Sequence, residues 1–388
     1  MSAWTLGDAE EHLLSLELFG MRFGLERMHR LLAALGAPQE RFRAVHVVGT
    51  NGKSSTARFT AALLEAHGVR TGTYLSPHLT TFAERVRIGD EDIAGDAFGA
   101  AVQRAAVVAA ELDGEPVTQF ELLTAAALDA FARAGVEVAV VEAGLGGRHD
   151  ATNVLGAEVV VLTNVGLEHT RWLGSTVAAI AAEKLAVVRP GATLVLGDEQ
   201  PEVGALAEAT GARIVRPSGD VDAPGYQKAN LAAAVAAASA ILGAPVTPAG
   251  VVPAVPGRLQ VIDHAPLTLL DGAHNAPGAA ALAQSVPEGA VAVFGVLDDK
   301  DAAGMLRALA PRLSAVVFTQ PANPRAVPPA ALADLAGTLP VEFEVEPRRA
   351  LSRAREIAGE QGAVLVTGSI YLVADLLSAP GARRASVL

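Results

Sequence analysis

Cysteine is absent from the 388 residues, which excludes disulfides, thiolate metal sites and a thioester intermediate, so any covalent activation must use other chemistry. Long apolar runs are missing as well. Nothing approaches the roughly 18 uninterrupted apolar residues of a membrane span, and the opening MSAWTLGDAEEHL carries early acids where an export signal has an apolar core. The expectation is a cytoplasmic protein with no membrane partner. Basic stripes are also lacking: 30 Lys and Arg stand against 42 Asp and Glu, a formal net charge of −12, so nucleic acid is not expected as a partner. Small anions remain admissible where a few placed cations and helix N-termini supply positive charge.

What is present is globular: 51% hydrophobic residues with 38 Gly and 22 Pro spread along the chain, at a length that suits two domains. Residues 8–35 have apolar positions at helical spacing and stop at Gly36-Ala37-Pro38. The pattern then changes. A β-branched run at 43–48 (RAVHVV) leads through a Gly-containing loop into a helical stretch at 54–67. Similar short runs recur at 69–74, 136–141, 157–163, 192–196 and 212–215, separated by alanine-rich helical stretches. Strands alternating with helices predict a parallel sheet covered on both faces. Residues 245–256 hold four prolines and no charge, as an interdomain connection would. A second alternating series follows, with strands at 267–270, 290–294, 315–319, 341–345 and 363–366. The reading is an α/β chain of two domains, a larger P-loop-type ATPase domain over 1–255 and a smaller Rossmann-like α/β domain over 256–388. The last residues, 378–388 (SAPGARRASVL), look loose.

The segment Gly49-Thr50-Asn51-Gly52-Lys53-Ser54-Ser55 follows a strand and opens a helix, where backbone N–H groups can cradle phosphates, a lysine adds a point charge and a serine hydroxyl reaches Mg²⁺. The strict Walker pattern also needs glycine at position 47, and Val47 stands there. A capped strand-to-helix turn with a solvated lysine is the alternative. Glu142 ends an apolar strand run, where open parallel sheets place ligands, and the flexible Gly144-Leu145-Gly146-Gly147 follows it. Glu142 also reads as a solvated strand end. His169, at the exit of another strand run, reads as a metal ligand or as a hydrogen-bonded structural histidine. Lys184 lies in a helical stretch among small apolar residues. If it is desolvated, its neutral amine can take up CO₂ as a carbamate; otherwise it extends its charge to water.

Taken in order, the motifs GTNGK (49–53), SPHL (76–79), ERVRI (84–88), EAGLGGRHDATN (142–153), LEHTRWLG (167–174), EK (183–184), PGRLQ (256–260), DGAHN (271–275), LDDKD (297–301) and GSIYLV (368–373) resemble the folylpolyglutamate synthase and dihydrofolate synthase branch of the Mur ligases. The resemblance covers about residues 20–375. It implies that Gly49, Thr50, Asn51, Gly52, Lys53, Ser54 and Ser55 hold the ATP phosphates, with ATP in a cleft between two domains. It implies two Mg²⁺ ions on Ser76, Glu142 and His169, with a carbamylated Lys184 completing or orienting the second site; Lys53, Glu142, His169 and Lys184 then form the catalytic set. Asn230, Arg258 and Asp271 correspond to further ATP contacts, and His274 to a neighbouring position. Ser54 departs from the many relatives that have glycine there, leaving open which of Ser54 and Ser55 reaches the metal.

The implied reaction activates a carboxylate as an acyl phosphate, which the amine of L-glutamate attacks. The acceptor is dihydropteroate or a reduced folate, and a bifunctional enzyme is the favoured reading, with polyglutamylation alone or a P-loop kinase as alternatives. Thr118-Gln119-Phe120-Glu121 corresponds to the segment that binds dihydropteroate in bifunctional relatives: Phe120 suits stacking on a flat ring and Glu121 a polar edge. The same spacing, Thr118 with Glu121 three residues on, is also a helix capping box. No partner beyond these small molecules is implied, and a monomer is expected.

Overall fold

Apolar runs such as VAVVE at Val138–Glu142 and VVVL at Val159–Leu162 do not alternate with polar residues, and every residue of both is buried. That is the condition of a central strand in a parallel sheet covered on both faces. The computed structural model describes residues 2–16, 24–219, 221–248, 250 and 253–379. Its contacts divide the chain into two units, one running to Asp222 and including Ala229–Pro253, the other holding Ala223–Lys228 and continuing from Ala254.

The first unit is built on eight strands, β1 (Arg43–Val48), β2 (Thr71–Tyr74), β3 (Val86–Ile88), β4 (Glu91–Asp92), β5 (Val138–Glu142), β6 (Val159–Leu162), β7 (Thr193–Leu196) and β8 (Arg213–Val215). Their order is β4-β3-β2-β5-β1-β6-β7-β8. The strands from β2 to β8 in that order are parallel, whereas β3 and β4 add an antiparallel edge. The chain thus runs from β1 to β2 past the slot that β5 later fills. Val47 pairs with Glu142 and Val48 with Leu162, which sets the C-terminal ends of β5, β1 and β6 side by side.

The second unit carries six strands, β9 (Gln260–His264), β10 (Leu267–Leu270), β11 (Ala290–Phe294), β12 (Leu313–Phe318), β13 (Val341–Phe343) and β14 (Ala363–Thr367). They are ordered β13-β12-β11-β14-β10-β9, parallel except for the β9 edge. Phe294, Phe318, Met305 and Leu365 lie at the centre of its core.

Two features depart from the sequence reading. The antiparallel β3, β4 and β9 were not anticipated. The helical spacing over 8–35 resolves into separate helices, Leu6–Ser15 and Glu26–Ala34, because Leu16 turns extended at ψ 155°; residues 17–23 between them lie outside the described residues, as do 380–388 of the tail. No described helix is long and apolar enough to cross a membrane.

Candidate functional site

The loop after β1 is tied to the exit of β6. Thr50 N–H donates to the Asn164 carbonyl at 2.9 Å, Asn51 N–H to Asn164 Oδ1 at 2.9 Å, and Thr163 Oγ1 donates to the Asn51 carbonyl at 2.7 Å. The approach is close enough to require glycine. At Gly49, with φ 148°, a Cβ would sit 1.9 Å from Thr163 Oγ1; at Gly52, with φ 84°, it would sit 2.2 Å from Asn230 Oδ1. The structure therefore places Asn230 against the loop from the helix Gln227–Leu242. Lys53 opens the helix Lys53–Ala66 and turns its Nζ back to the Thr50 carbonyl at 3.2 Å.

Glu142 is only 1% exposed. One carboxylate oxygen accepts from Ser54 Oγ at 3.0 Å, the other from Ser76 N–H at 3.0 Å. Three distant segments thus meet on one buried carboxylate: the end of β5, the start of the phosphate-loop helix and the loop after β2. Ser55 differs from its neighbour, since its hydroxyl is buried and makes no hydrogen bond. Lys184, in the helix Val177–Leu185, is 4% exposed and donates to the Gly49 carbonyl at 2.7 Å. Burial, reinforced by the charge of Lys53, lowers its pKa to about 7, against the opposing pull of Glu168 and Asp150. His169 stands in the left-handed region at φ 52° as the N-cap of Thr170–Leu173. Its ring is 39% exposed, with Nε2 3.9 Å from Glu168 Oε1.

Among the described residues, no cluster of three or more His, Asp and Glu side chains is poised to hold a metal ion. A single buried carboxylate beside a serine hydroxyl is instead the donor set of a Mg²⁺ that keeps phosphate and water oxygens. The residues present fit that ion. They also fit a nucleotide phosphate, because the turn leads into the N-terminus of the helix Lys53–Ala66, whose first N–H groups have no acceptor within the helix.

Residues 144–147 pack tightly on both sides: a Cβ at Gly144 would lie 2.6 Å from Phe120 Cζ, and one at Gly147 would lie 2.5 Å from the Glu183 carbonyl. Asp150 anchors this loop, accepting Leu145 N–H at 2.6 Å and Thr152 N–H at 3.0 Å. Burial raises its pKa, while the same hydrogen bonds lower it. Sequence reasoning passed over Asp150 and Glu168, although both lie inside motifs it had marked.

The 118–121 segment forms the capping box: Glu121 N–H donates to Thr118 Oγ1 at 3.3 Å, and Thr118 N–H donates back to Glu121 at 2.8 Å. Glu121 is buried and paired with Arg27 at 2.9 Å, a partner nothing in the local sequence announced. Gln119 Nε2 donates to the Leu13 carbonyl at 2.7 Å. Phe120 alone is half-open, its ring 6.0 Å from that of Tyr74.

In the second unit, Asp271 is buried at the end of β10. It accepts from Tyr226 Oη at 2.5 Å and from the N–H groups of Leu259 and Ala273, each at 2.9 Å. Burial and the Asp271 charge raise the Tyr226 pKa. Gly272 is the contact surface: a Cβ there would meet Arg258 Nη1 at 2.9 Å, and His274 Nδ1 lies 2.9 Å from its carbonyl oxygen. Arg258, Asp271 and His274 are thereby one group within this unit, with Tyr226 as a member that the sequence did not mark.

Comparison with known proteins bears on the chain as a whole. Residues 47–237 match the Mur ligase middle domain and residues 257–370 the Mur ligase, glutamate ligase domain. The dihydrofolate synthase/folylpolyglutamate synthase of Mycobacterium tuberculosis is 35% identical, covering 84% of this chain and 80% of that protein. A probable bifunctional folylpolyglutamate synthase/dihydropteroate synthase of Haloferax volcanii is 35% identical over 95% of this chain, which spans 50% of that longer protein. Among solved structures, the bifunctional folylpolyglutamate synthase/dihydrofolate synthase of Yersinia pestis complexed with AMPPNP and Mn ion superposes with a TM-score of 0.87 at 29% identity, over 96% of this chain and 97% of that one.

Proposed function

This chain belongs to the dihydrofolate synthase/folylpolyglutamate synthase family of the Mur ligases, and from that premise we propose that it is an ATP-dependent ligase joining L-glutamate to dihydropteroate and to reduced folates through an acyl phosphate. The observation that carries the reading is Glu142, buried at the phosphate loop and shared by Ser54 and Ser76. Ser54, whose hydroxyl donates to that carboxylate, is assigned to the metal in preference to Ser55. Mg²⁺, when bound, neutralises charge spreading over the transferred phosphoryl oxygens. Ser76, Glu142 and His169 are the side chains assigned to two such ions.

The N–H groups at the start of the helix Lys53–Ala66 and Lys53 itself hold the ATP phosphates, with Asn230 against the same turn. A carboxylate oxygen attacks the γ-phosphorus and ADP leaves. The amine of glutamate then attacks the acyl carbon, loses a proton and expels phosphate. No enzyme nucleophile takes part, consistent with a chain that has no cysteine. Lys184, with a pKa near neutrality, has a neutral fraction whose nitrogen can bond to CO₂ and release a proton, leaving an anionic carbamate beside the Gly49 carbonyl that the amine now contacts. The enzyme is taken to act as a cytoplasmic monomer.

Wild-type protein supplied with Mg·ATP should release ADP only when both a pteroate or folate acceptor and glutamate are present. ADP release indifferent to glutamate would make it a kinase or an NTPase and end this proposal. Phe120, the open member of its segment, stacks on the acceptor ring in this scheme. Phe120→Ala should raise KM for dihydropteroate about tenfold, the loss of roughly 1.4 kcal/mol of contact, and harm tetrahydrofolate use less. Equal losses with both acceptors return Phe120 to packing against Gly144.

A further inference from the structure

Arg58 lies in the helix Lys53–Ala66, one turn beyond Ser54. Positions 54, 58, 62 and 65 form the stripe of that helix that stays partly open while 55–57, 59–61, 63 and 64 are buried. The stripe starts at Ser54, whose hydroxyl reaches Glu142, and ends at Glu65, whose carboxylate accepts the Thr71 N–H at 2.6 Å. Arg58 stands between them, beside the antiparallel edge of the sheet.

The acids within electrostatic reach of Arg58 are Asp92, Glu84 and Glu142, and Arg87 adds a like charge. Each acid already has other donors. Asp92 pairs with Arg87, and Glu84 accepts the N–H groups of Leu79, Thr80 and Thr81 at 2.8, 2.8 and 2.9 Å. Glu142 is taken by Ser54 and Ser76. Among the described residues Arg58 makes no hydrogen bond or ion pair. A part-buried guanidinium that meets no acceptor in the protein leaves its planar fork of donors to water, and an anion that fits the fork exchanges that water for charge-assisted bonds. Burial, with Arg87 beside it, lowers its pKa, and a bound anion reverses that effect. The phosphate loop lies about 6 Å back along the helix and has its own cation in Lys53. The fork therefore suits the other class of anion in the reaction.

We propose that Arg58 binds a carboxylate beside Glu142, supplied by the incoming amino acid or by the glutamyl end of a folate acceptor. The inference rests on the ligase reading and assigns its second anion subsite. The test is steady-state kinetics of wild type, Arg58→Gln and Arg58→Lys, varying ATP, glutamate, dihydropteroate and tetrahydrofolate in turn. Arg58→Gln should raise one carboxylate KM about tenfold or more, the size expected for a charge-assisted bond, with KM for ATP within about twofold. A rise in KM for glutamate with both acceptors assigns the amino acid; a rise for tetrahydrofolate alone assigns the glutamyl end. Arg58→Lys, which keeps the charge and lacks the fork, should fall between. Unchanged carboxylate KM values, or a proportional rise that includes ATP, overturn the proposal. Should the wild type fail to release ADP in a glutamate-dependent way, the ligase reading falls separately. Calorimetry of glutamate and tetrahydrofolate binding to Arg58→Gln then decides on Arg58 alone, with affinity equal to wild type overturning it.

Discussion

Replacing Lys184 with methionine should yield a protein that unfolds at a higher temperature than wild type in CO₂-depleted buffer at pH 7.5, yet barely turns over. Lys184 is buried with a pKa of about 7, against 10.5 for a free lysine. Below pH 7 the folded and unfolded chains are both protonated, and folding bears the whole cost of burying the charge. Between about 7 and 10.5 the unfolded chain holds a proton that the folded chain has released, so stability rises with pH across that window. Methionine removes this penalty. At pH 7.5 the gain is on the order of 4 kcal/mol, less about 1 kcal/mol for the lost hydrogen bond to the Gly49 carbonyl. The difference from wild type should shrink as pH approaches 10, which thermal melts across the range will read. Turnover should fall about a thousandfold if an anion is required at this position. Lys184→Ala, which leaves room, should recover part of it with a short-chain carboxylic acid. A methionine variant that melts below wild type at every pH would show that the lysine is held charged and structural.

Gly49→Ala should abolish nucleotide binding and destabilise the first unit. The added Cβ would lie 1.9 Å from Thr163 Oγ1 and 3.2 Å from the Asn164 carbonyl, at φ 148°. Neither neighbour is free to yield, because Thr163 holds the Asn51 carbonyl and Asn164 receives the Thr50 N–H. Overpacking with a disallowed backbone conformation costs on the order of 3 kcal/mol. The loop must move, and the bonds that tie Thr50 and Asn51 to Asn164 and fix the start of the helix Lys53–Ala66 are lost. Wild type with Mg·ATP at 100 times Kd should gain about 2.7 kcal/mol of apparent stability, and the variant should gain none. An alanine variant with an undiminished nucleotide-induced shift in Tm would remove the loop from the binding site.

The central strands were legible because their environment is uniform. A run buried on both faces, such as Val138–Glu142, must be apolar throughout, and that pattern survives in one dimension. Edge strands have no such constraint. β4 is two exposed acids, Glu91 and Asp92, and β9 exposes Val261, Ile262 and His264, so neither carries a periodic signal. The Thr118–Glu121 capping box was equally local, three residues apart, and it stood beside the acceptor-binding reading as one of two for that segment; the structure forms it.

Lys53, Glu142 and Lys184 were marked from local pattern and Ser76 from motif order, and neither signal states what each residue touches. By itself, then, the amino-acid sequence determined the strand and helix alternation, the glycine turn and the family, since each depends on residues close in the chain or on their order along it. Only the tertiary structure decided that Ser54 and not Ser55 reaches Glu142, that Glu121 is held by Arg27, that Lys184 is desolvated beside Lys53 and that Arg58 is left without a partner. Burial and pairing are sums over groups brought together from 88 to 135 residues apart, and no local pattern encodes such sums.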